Sequence, residues 1–180
     1  MSKDSTMSST ERPVPTATAA VVIADLAAID RFAARLAGLL PATAMVALAG
    51  DLGAGKTTLV KAVAAAVGID PAGVTSPTFG LIHLHDTDDG SLQVAHADMY
   101  RLTGVEELAE LGWEELIEPQ SGHRCWVFVE WPERIATALP AERLEISIAI
   151  TGETMRQLTV TGRGARYATI PTALTFPDSR

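Results

Sequence analysis

The sequence predicts an α/β fold of three layers, with a mixed central sheet and a C-terminal antiparallel hairpin. Short apolar runs without polar interruption are typical of strands covered on both faces. Segments with helical spacing of apolar residues separate the early strands, and strictly alternating strands come near the end of the chain. With 180 residues, of which 47% are hydrophobic, the chain can form one packed domain. We expect this domain over residues 20–163, between a flexible leader at 1–19 and a loose tail at 164–180.

The first part of the domain is predicted as a helix, a strand, a glycine-rich turn and a second helix. Asp25 or Asp30 is suited to cap the first helix, which should end before Pro41. Residues 44–49 are all apolar, as expected of a strand buried on both faces. The second helix is predicted over residues 56–67, which are mostly good helix formers.

The second part of the domain contains more strands than helices. A polar turn between two short strands indicates a hairpin within residues 81–97. Residues 106–118 have helical spacing of leucines and are predicted to form an acidic helix. The apolar run at residues 126–129 is a candidate interior strand. Alternation within residues 144–160 predicts the final hairpin.

Composition argues against several classes of protein. Lys and Arg number 14 against 22 Asp and Glu, so the formal charge of −8 disfavours a protein whose main task is to bind nucleic acid. A single cysteine cannot form an internal disulfide, and no Cys/His cluster has the spacing of a zinc site. No run of 18 uncharged apolar residues offers a membrane span, and the N-terminal residues do not resemble a signal peptide. We therefore expect a cytoplasmic protein.

The strongest local signal is the glycine-rich turn between the first predicted strand and the second predicted helix. Residues 50–57 read Gly-Asp-Leu-Gly-Ala-Gly-Lys-Thr, which is the spacing of a phosphate-binding P-loop. The backbone amides of such a loop surround an anion at the positive end of the helix dipole. Lys56 would reach the outer phosphates, and the Thr57 hydroxyl would bind Mg²⁺. The predicted nucleotide-binding residues are Asp51, Leu52, Gly53, Ala54, Gly55, Lys56, Thr57 and Thr58.

Two carboxylates follow predicted strands and are candidates for the chemistry. Glu130 comes directly after an apolar run, and Asp98 follows the second strand of the first hairpin. Side chains at the carboxyl edge of a sheet can approach a ligand bound by the loop. We expect Glu130 to bind Mg²⁺ directly or through water. Asp98 is expected either to support the metal site without binding the metal itself or to place the attacking water. With Lys56, these two carboxylates form the predicted catalytic set.

Residues 75–79 read Thr-Ser-Pro-Thr-Phe and form a candidate switch segment. Many phosphate-binding folds place at this point a segment that orders around the γ-phosphate. Ser76 and Thr78 are the candidate contacts within it. An ordinary Ser-Pro turn explains the same residues equally well.

Other polar clusters have simpler explanations than a binding site. His83 and His85 share one face of a predicted strand. His96 and Asp98 share a face of the next strand, but neither pair has the spacing of a metal cluster. We interpret the histidines as ordinary polar residues of strands. The six glutamates within residues 106–118 are typical of a solvated helix face, and a docking surface for a basic partner is the alternative.

The nucleotide is predicted to be ATP. The sequence contains no asparagine, so it lacks the Asn-Lys-x-Asp loop with which GTPases recognise guanine. A P-loop kinase that acts on a small metabolite is an alternative, but its mobile lid needs clustered arginines. Arg124, Arg134 and Arg143 are scattered instead. A binding module that senses ATP with little hydrolysis is a further alternative.

Five segments together resemble the TsaE family in content, order and spacing, and they cover about residues 25–160. These segments are residues 50–58, 75–79, 96–102, 107–112 and 129–133. The resemblance implies a bacterial ATPase with a P-loop NTPase fold, which supports threonylcarbamoyl modification of adenosine 37 in tRNAs that read ANN codons. It also implies action with the TsaB and TsaD proteins. Hydrolysis of ATP would reset that complex between cycles, while TsaD carries out the transfer.

The resemblance also assigns roles to individual residues. It implies phosphate binding by residues 53–58 and Mg²⁺ ligation by Thr57 and Glu130. Asp98 and Trp131 match functionally sensitive positions of the family's motifs. An acidic chain agrees with these roles, because a protein of this kind binds a protein complex and need not hold tRNA itself.

Some positions extend or depart from this pattern. Tyr100 and Trp131 are candidate switch or partner contacts, together with the segment at residues 75–79. The family often has an aromatic residue where Ala97 stands and a tyrosine where His85 stands. We therefore expect rearranged contacts around the nucleotide or at the interface with TsaD.

Overall fold

The computed structural model describes residues 16–77, 81–118 and 124–175. The strands in these ranges are β1 (Thr16–Ile23), β2 (Thr43–Ala49), β3 (Ile82–Asp86), β4 (Gln93–Asp98), β5 (Cys125–Glu130), β6 (Arg143–Ile150) and β7 (Arg156–Arg163). They form one sheet in the order β1-β7-β6-β2-β5-β4-β3. Strands β4, β5, β2 and β6 are parallel, and the remaining neighbours pair antiparallel. The predicted mixed sheet and both predicted hairpins are thus confirmed.

Helices cover both faces of this sheet. They are α1 (Leu26–Leu39), α2 (Lys56–Ala66), α3 (Trp113–Ile117) and α4 (Ile170–Leu174), with 3-10 segments at Val105–Leu111 and Pro132–Ala138. One buried apolar cluster joins α1, α2 and α4 to one face, and a second joins α3 and both 3-10 segments to the other. The predicted three layers are therefore present. None of the helices in the described ranges is long and apolar enough to cross a membrane.

Local sequence explains the elements at the centre of the fold. Strands β2 and β5 are inner strands, and every residue of β5 is buried. Their side chains alternate between the two apolar clusters, with Val46 of β2 in the first and Met45 in the second. At the start of α1, the Asp25 carboxylate accepts a hydrogen bond of 2.7 Å from the Ala28 amide. This cap confirms the predicted start of the helix.

The acidic segment at residues 106–118 is not the single helix that its spacing predicts. It forms the 3-10 segment at Val105–Leu111 and then α3, and Gly112 separates the two with left-handed backbone at φ +68°. A residue in that conformation ends a run of helical hydrogen bonds. Leu108 and Trp113 are nevertheless buried in the second cluster. The leucine spacing therefore predicted the buried face correctly, but not the break.

The predicted leader at residues 1–19 is too long. Strand β1 begins at Thr16, which pairs with Arg163 of β7, so residues 16–19 belong to the sheet. This pairing joins residues almost 150 positions apart, and local composition does not reveal it. Residues 1–15 lie outside the described ranges.

The predicted loose tail at residues 164–180 also needs correction. Tyr167 is buried, and its hydroxyl accepts a hydrogen bond of 3.0 Å from the Met45 amide in β2. Helix α4 follows and buries Leu174 in the first apolar cluster. The tail is ordered because α4 packs against β1 and α1. Residues 176–180 lie outside the described ranges.

The topology brings three segments together at the carboxyl edge of the parallel strands. Strand β2 leads into the glycine-rich loop, β4 ends at Asp98, and β5 ends at Glu130. Asp98 and Glu130 are direct partners in the β4–β5 register. Ligands of open α/β sheets commonly bind in the crevice outside such strand ends.

Candidate active site

The glycine loop joins the end of β2 to the first turn of α2. Gly50 and Gly55 have φ of +144° and +107°, in a region that residues with a side chain rarely adopt. A Cβ at Gly50 would also lie 2.6 Å from the carbonyl oxygen of Ile148 in β6. Glycine is therefore required for the loop to pass β6 and enter α2. The amides of the first helical turn have no intrahelical partners, which is the arrangement that binds anions in P-loops.

Lys56 begins α2 with its ammonium directed back to the loop. Its Nζ donates hydrogen bonds to the carbonyl oxygens of Gly50, at 2.7 Å, and Asp51, at 3.0 Å. The Trp131 indole lies over the same ammonium, with 4.1 Å between Nζ and the ring centroid. Lys56 is only 4% exposed. Carbonyl dipoles and an aromatic face thus compensate the buried charge.

Thr57 and Glu130 meet across the gap between α2 and β5. The Thr57 hydroxyl donates a hydrogen bond of 2.6 Å to Oε1 of Glu130. The same oxygen lies 2.8 Å from Nε2 of His96 in β4. Both Glu130 and His96 are buried. The carboxylate is therefore held from two sides at the end of an apolar strand.

Asp98 is anchored by the segment that follows α2 and by its own strand end. Ser76 Oγ donates a hydrogen bond of 2.7 Å to Oδ2 of Asp98. The Tyr100 amide donates one of 3.0 Å to Oδ1. Ser76, one of the two predicted switch residues, thus contacts the predicted water-positioning carboxylate. Thr78, the other, lies outside the described residues.

These side chains surround a cavity of about 370 Å³ at the mouth of the glycine loop. Its lining residues are Leu52, Gly53, Gly55, Lys56, Thr57, Thr58, Ser76, Asp98, Tyr100, Arg101, Glu130 and Trp131. Two predicted loop residues do not line it: Ala54 is buried behind the loop, and Asp51 is exposed at its tip. The structure thus brings the predicted catalytic set and most of the predicted nucleotide-binding residues to one place.

Sequence reasoning missed three residues that contribute to this region. His96 contacts Glu130, and its position two residues before Asp98 was the available signal, because the two share a face of β4. Arg101 lines the cavity and follows Tyr100 within one of the family-like segments. Arg156 of β7 donates a hydrogen bond of 3.0 Å to the Ala54 carbonyl. No local signal connects Arg156 to a loop about a hundred residues earlier.

The other two histidines of the hairpin lie on edge strand β3. The His83 and His85 rings are 6.3 Å apart and nearly perpendicular. Burial, together with the neighbouring His96 and His83, lowers the pKa of His85, while Asp86 opposes the shift. Neither residue lines the cavity beside the glycine loop.

A second cavity, of about 570 Å³, lies on the opposite side of the glycine loop. It shares Gly53, Gly55 and Thr58 with the first cavity, and Ala54 contributes as well. Its wall is mainly apolar and includes Ile23, Leu26, Ala27 and Ile29. The loop therefore separates a polar cavity with carboxylates from a larger apolar one.

The donor set beside the loop suits a hard cation that is shared with a bound phosphate. Thr57 and Glu130 place oxygen atoms 2.6 Å apart at the cavity wall. Across the part of the chain that the structure describes, no group of three or more His, Cys, Asp or Glu side chains could hold a metal ion. Mg²⁺ is typically bound by one or two protein oxygens, with phosphates and water completing the shell. The residues therefore fit Mg²⁺ together with a nucleotide, not an all-protein metal cage.

Comparison with known proteins shows which family the chain belongs to. The sequence profile of the family described as "Threonylcarbamoyl adenosine biosynthesis protein TsaE" matches residues 23–158. The tRNA threonylcarbamoyladenosine biosynthesis protein TsaE of Streptomyces coelicolor is 36% identical over 140 residues, which cover 75% of this chain and 90% of that protein. The Bacillus subtilis protein of the same name is 39% identical over 135 residues, covering 75% and 80%.

A solved structure is similar over nearly the whole chain. The crystal structure of YdiB from Bacillus subtilis aligns with a TM-score of 0.64 and 29% identity, covering 91% of this chain and 97% of that one. The region matched by the family profile contains the glycine loop, both carboxylates and Trp131. The protein described here therefore belongs to the TsaE family, whose named relatives are tRNA threonylcarbamoyladenosine biosynthesis proteins.

Proposed function

We propose that the protein is a Mg²⁺-dependent ATP hydrolase of the cytoplasm, required for threonylcarbamoyladenosine formation at position 37 of tRNAs that read ANN codons. One observation carries the hydrolase assignment. Lys56 and Thr57 of a P-loop line the same cavity as two buried carboxylates, Asp98 and Glu130. The names of the relatives support the tRNA modification pathway.

The glycine loop and Lys56 would bind the phosphates of ATP. The loop amides at the N-terminus of α2 would face the phosphates. The Lys56 ammonium would exchange its two carbonyl acceptors for phosphate oxygens. Thr57 and Glu130 would hold Mg²⁺, directly or through water. Mg²⁺ would neutralise charge that develops on the phosphates. Asp98 would orient the attacking water, held in place by Ser76 and the Tyr100 amide.

The base of the nucleotide would occupy the apolar cavity beyond the loop. Because Thr58 and two loop glycines border both cavities, a ligand with its terminal phosphates near Glu130 can extend past Thr58 to the apolar side. Burial of a flat aromatic base against Ile23, Leu26 and Ile29 supplies hydrophobic stabilisation. The absence of asparagine, and with it of the guanine-binding Asn-Lys-x-Asp loop, supports adenine.

The partners would be the TsaB and TsaD proteins. A formal charge of −8 supports binding to a protein complex more than a strong direct contact with tRNA. Exposed residues at the cavity mouth, such as Leu52 at 83% and Tyr100 at 49%, are available for contact with a partner. A site assembled from loops can depend on a partner for its closed form, so the partners would stimulate hydrolysis. Hydrolysis would then reset the complex between cycles.

The test is release of ADP from ATP and Mg²⁺, measured with the protein alone and with TsaB and TsaD of the same organism. We expect strong stimulation by the pair. Lys56→Ala should abolish turnover at an unchanged melting temperature, and Lys61→Ala, in the same helix but outside the polar cavity, should not. Unchanged turnover in Lys56→Ala would refute the hydrolase assignment. If a nonhydrolysable ATP analogue promoted the protein's effect on TsaB and TsaD as well as ATP does, a module that senses ATP without hydrolysing it would be favoured.

A further inference from the structure

The side chain of His96 is closed to solvent, lies outside the cavity lining, and yet contacts a residue of the cavity wall. It is 0% exposed, and its Nε2 lies 2.8 Å from Oε1 of Glu130. A fully buried polar side chain normally needs a partner to offset the loss of hydration. Among the described residues, Glu130 is the partner that the structure gives it.

The chemistry of the two groups defines the direction of this hydrogen bond. An ionised carboxylate only accepts hydrogen bonds, so Nε2 of His96 is the donor. Nδ1, the other ring nitrogen, is buried and has no hydrogen-bond partner within the described part of the chain. The ring therefore presents the N–H of Nε2 to Glu130.

The two hydrogen bonds to Glu130 differ in how they can respond to a ligand. Thr57 lines the cavity, so its hydroxyl can change partners when phosphates and a cation enter. His96 does not line the cavity, and it is fully buried in β4, an inner strand of the sheet. Its contact with Oε1 can therefore persist while the cavity fills. Within the described residues both of these hydrogen bonds go to Oε1, which leaves Oε2 of Glu130 for a ligand.

We propose that His96 is a positioning residue that fixes Glu130 through Oε1 and so sets the affinity of the site for Mg²⁺. This inference rests on the proposed function, because it assumes that Glu130 serves a Mg²⁺-nucleotide. His96 itself has no access to the cation. Its contribution is to hold the carboxylate in one rotamer, which lowers the entropy lost when the cation binds. Loss of such a partner typically reduces metal affinity by about 10- to 100-fold.

The test compares two substitutions that differ only in reach. In His96→Gln the side-chain amide nitrogen can take the place of Nε2 and donate to Glu130. In His96→Asn the amide nitrogen lies nearer the place of Nδ1, too far from Glu130 to donate a hydrogen bond to it. Calorimetry would measure binding of ADP over a range of Mg²⁺ concentrations and also with the metal chelated. We expect His96→Asn to raise the half-saturating Mg²⁺ concentration by about 10-fold or more, with unchanged metal-free affinity for ADP. His96→Gln should remain close to wild type.

A second background shows whether the effect passes through the carboxylate. In Glu130→Gln, adding His96→Asn should change the Mg²⁺ response no further, because the positioned group is already gone. An equal additional loss there would overturn the inference. So would a Mg²⁺ response of His96→Asn that matches wild type, or a fall in its metal-free affinity for ADP. If ADP binding by the wild-type protein does not respond to Mg²⁺, the proposed function itself fails, and this inference with it.

A measurement on the unmodified protein covers the case in which His96→Asn does not fold. Nitrogen-15 NMR distinguishes a protonated ring nitrogen from a bare one. We expect the His96 signals of a ring protonated at Nε2, both with and without ADP and Mg²⁺. A proton on Nδ1 and a bare Nε2 would overturn the proposal, since the ring would then have no hydrogen to donate to Glu130.

Discussion

The Trp131 indole covers the Lys56 ammonium, 4.1 Å from Nζ to the ring centroid, and also packs against the Tyr100 ring at 4.9 Å. Trp131 has left-handed backbone at φ +57°, which a bulky residue adopts only where surrounding contacts offset the strain. One side chain at the end of β5 thus contacts both the first residue of α2 and the segment after β4. Phosphates that bind Lys56 must compete with this ring.

Nucleotide binding should therefore change the fluorescence of Trp131. Adding ADP and Mg²⁺ is expected to alter the tryptophan emission, because the cation over the ring is redirected to phosphate. Trp131→Phe should lose the response while still binding ADP in calorimetry. Trp113 and Trp126 are buried and do not line the cavity, so they provide a constant background. An equal response from Trp131→Phe would contradict this assignment.

Substitutions of Asp98 and Glu130 should affect different kinetic parameters, although the two residues are neighbours in the sheet. Asp98→Asn is expected to lower kcat by about 100-fold or more, since it removes the group that orients water, while affinity for ADP is retained. Glu130→Gln should instead raise the Mg²⁺ concentration needed for half-maximal turnover. Asp89→Asn, an exposed turn residue of the β3–β4 hairpin, is the matched control and should change neither. A purely Mg²⁺-dependent defect in Asp98→Asn would argue against its role with water.

Two glycine substitutions should have opposite effects on stability. Gly50→Ala places a Cβ 2.6 Å from the Ile148 carbonyl oxygen and requires a positive φ, so we expect a loss of about 1–3 kcal/mol. Gly38→Ala, within α1, meets no atom within 4 Å and should gain about 0.5–1 kcal/mol from its better helix propensity. Urea unfolding measures both. Equal stability of the two variants would contradict the close approach of the loop to β6.

Tyr167 should make stability fall at alkaline pH. Burial raises the pKa of its phenol above the ordinary value near 10. A folded-state pKa above the unfolded one contributes stability that is complete below about pH 10 and is lost as pH rises through the folded pKa. Tyr167→Phe should lack this component.

The same variant should also lose about 1–3 kcal/mol at neutral pH, because the buried Met45 amide loses its acceptor. Tyr100→Phe, at an exposed tyrosine, is the control for both measurements. Chemical unfolding from pH 7 to 11 checks them together. An identical pH profile for wild type and Tyr167→Phe would show that another group titrates.

Much of the candidate site could be predicted because its signals are local. A P-loop needs glycines, a lysine and a hydroxyl within eight consecutive residues, and Asp98 and Glu130 stand directly at the ends of apolar strands. The carboxyl ends of parallel strands meet at one edge of the sheet, so predicting the strands also predicted where the two carboxylates lie. The partners of those carboxylates were harder to predict. His96 reaches Glu130 only because β4 and β5 are neighbours in register. Ser76 reaches Asp98 from the segment that follows α2, about twenty residues away in the sequence.

The sequence by itself determined the layer architecture, the inner strands, the two hairpins and the loop, because each depends on spacing within a short window. Tertiary structure alone decided the rest. It added β1 beside β7, packed α4 against the first cluster, and brought Arg156 to the Ala54 carbonyl. These contacts join residues about a hundred or more positions apart, and their stability comes from surfaces that exist only after the sheet has formed. A pattern of neighbouring residues therefore does not predict these long-range contacts.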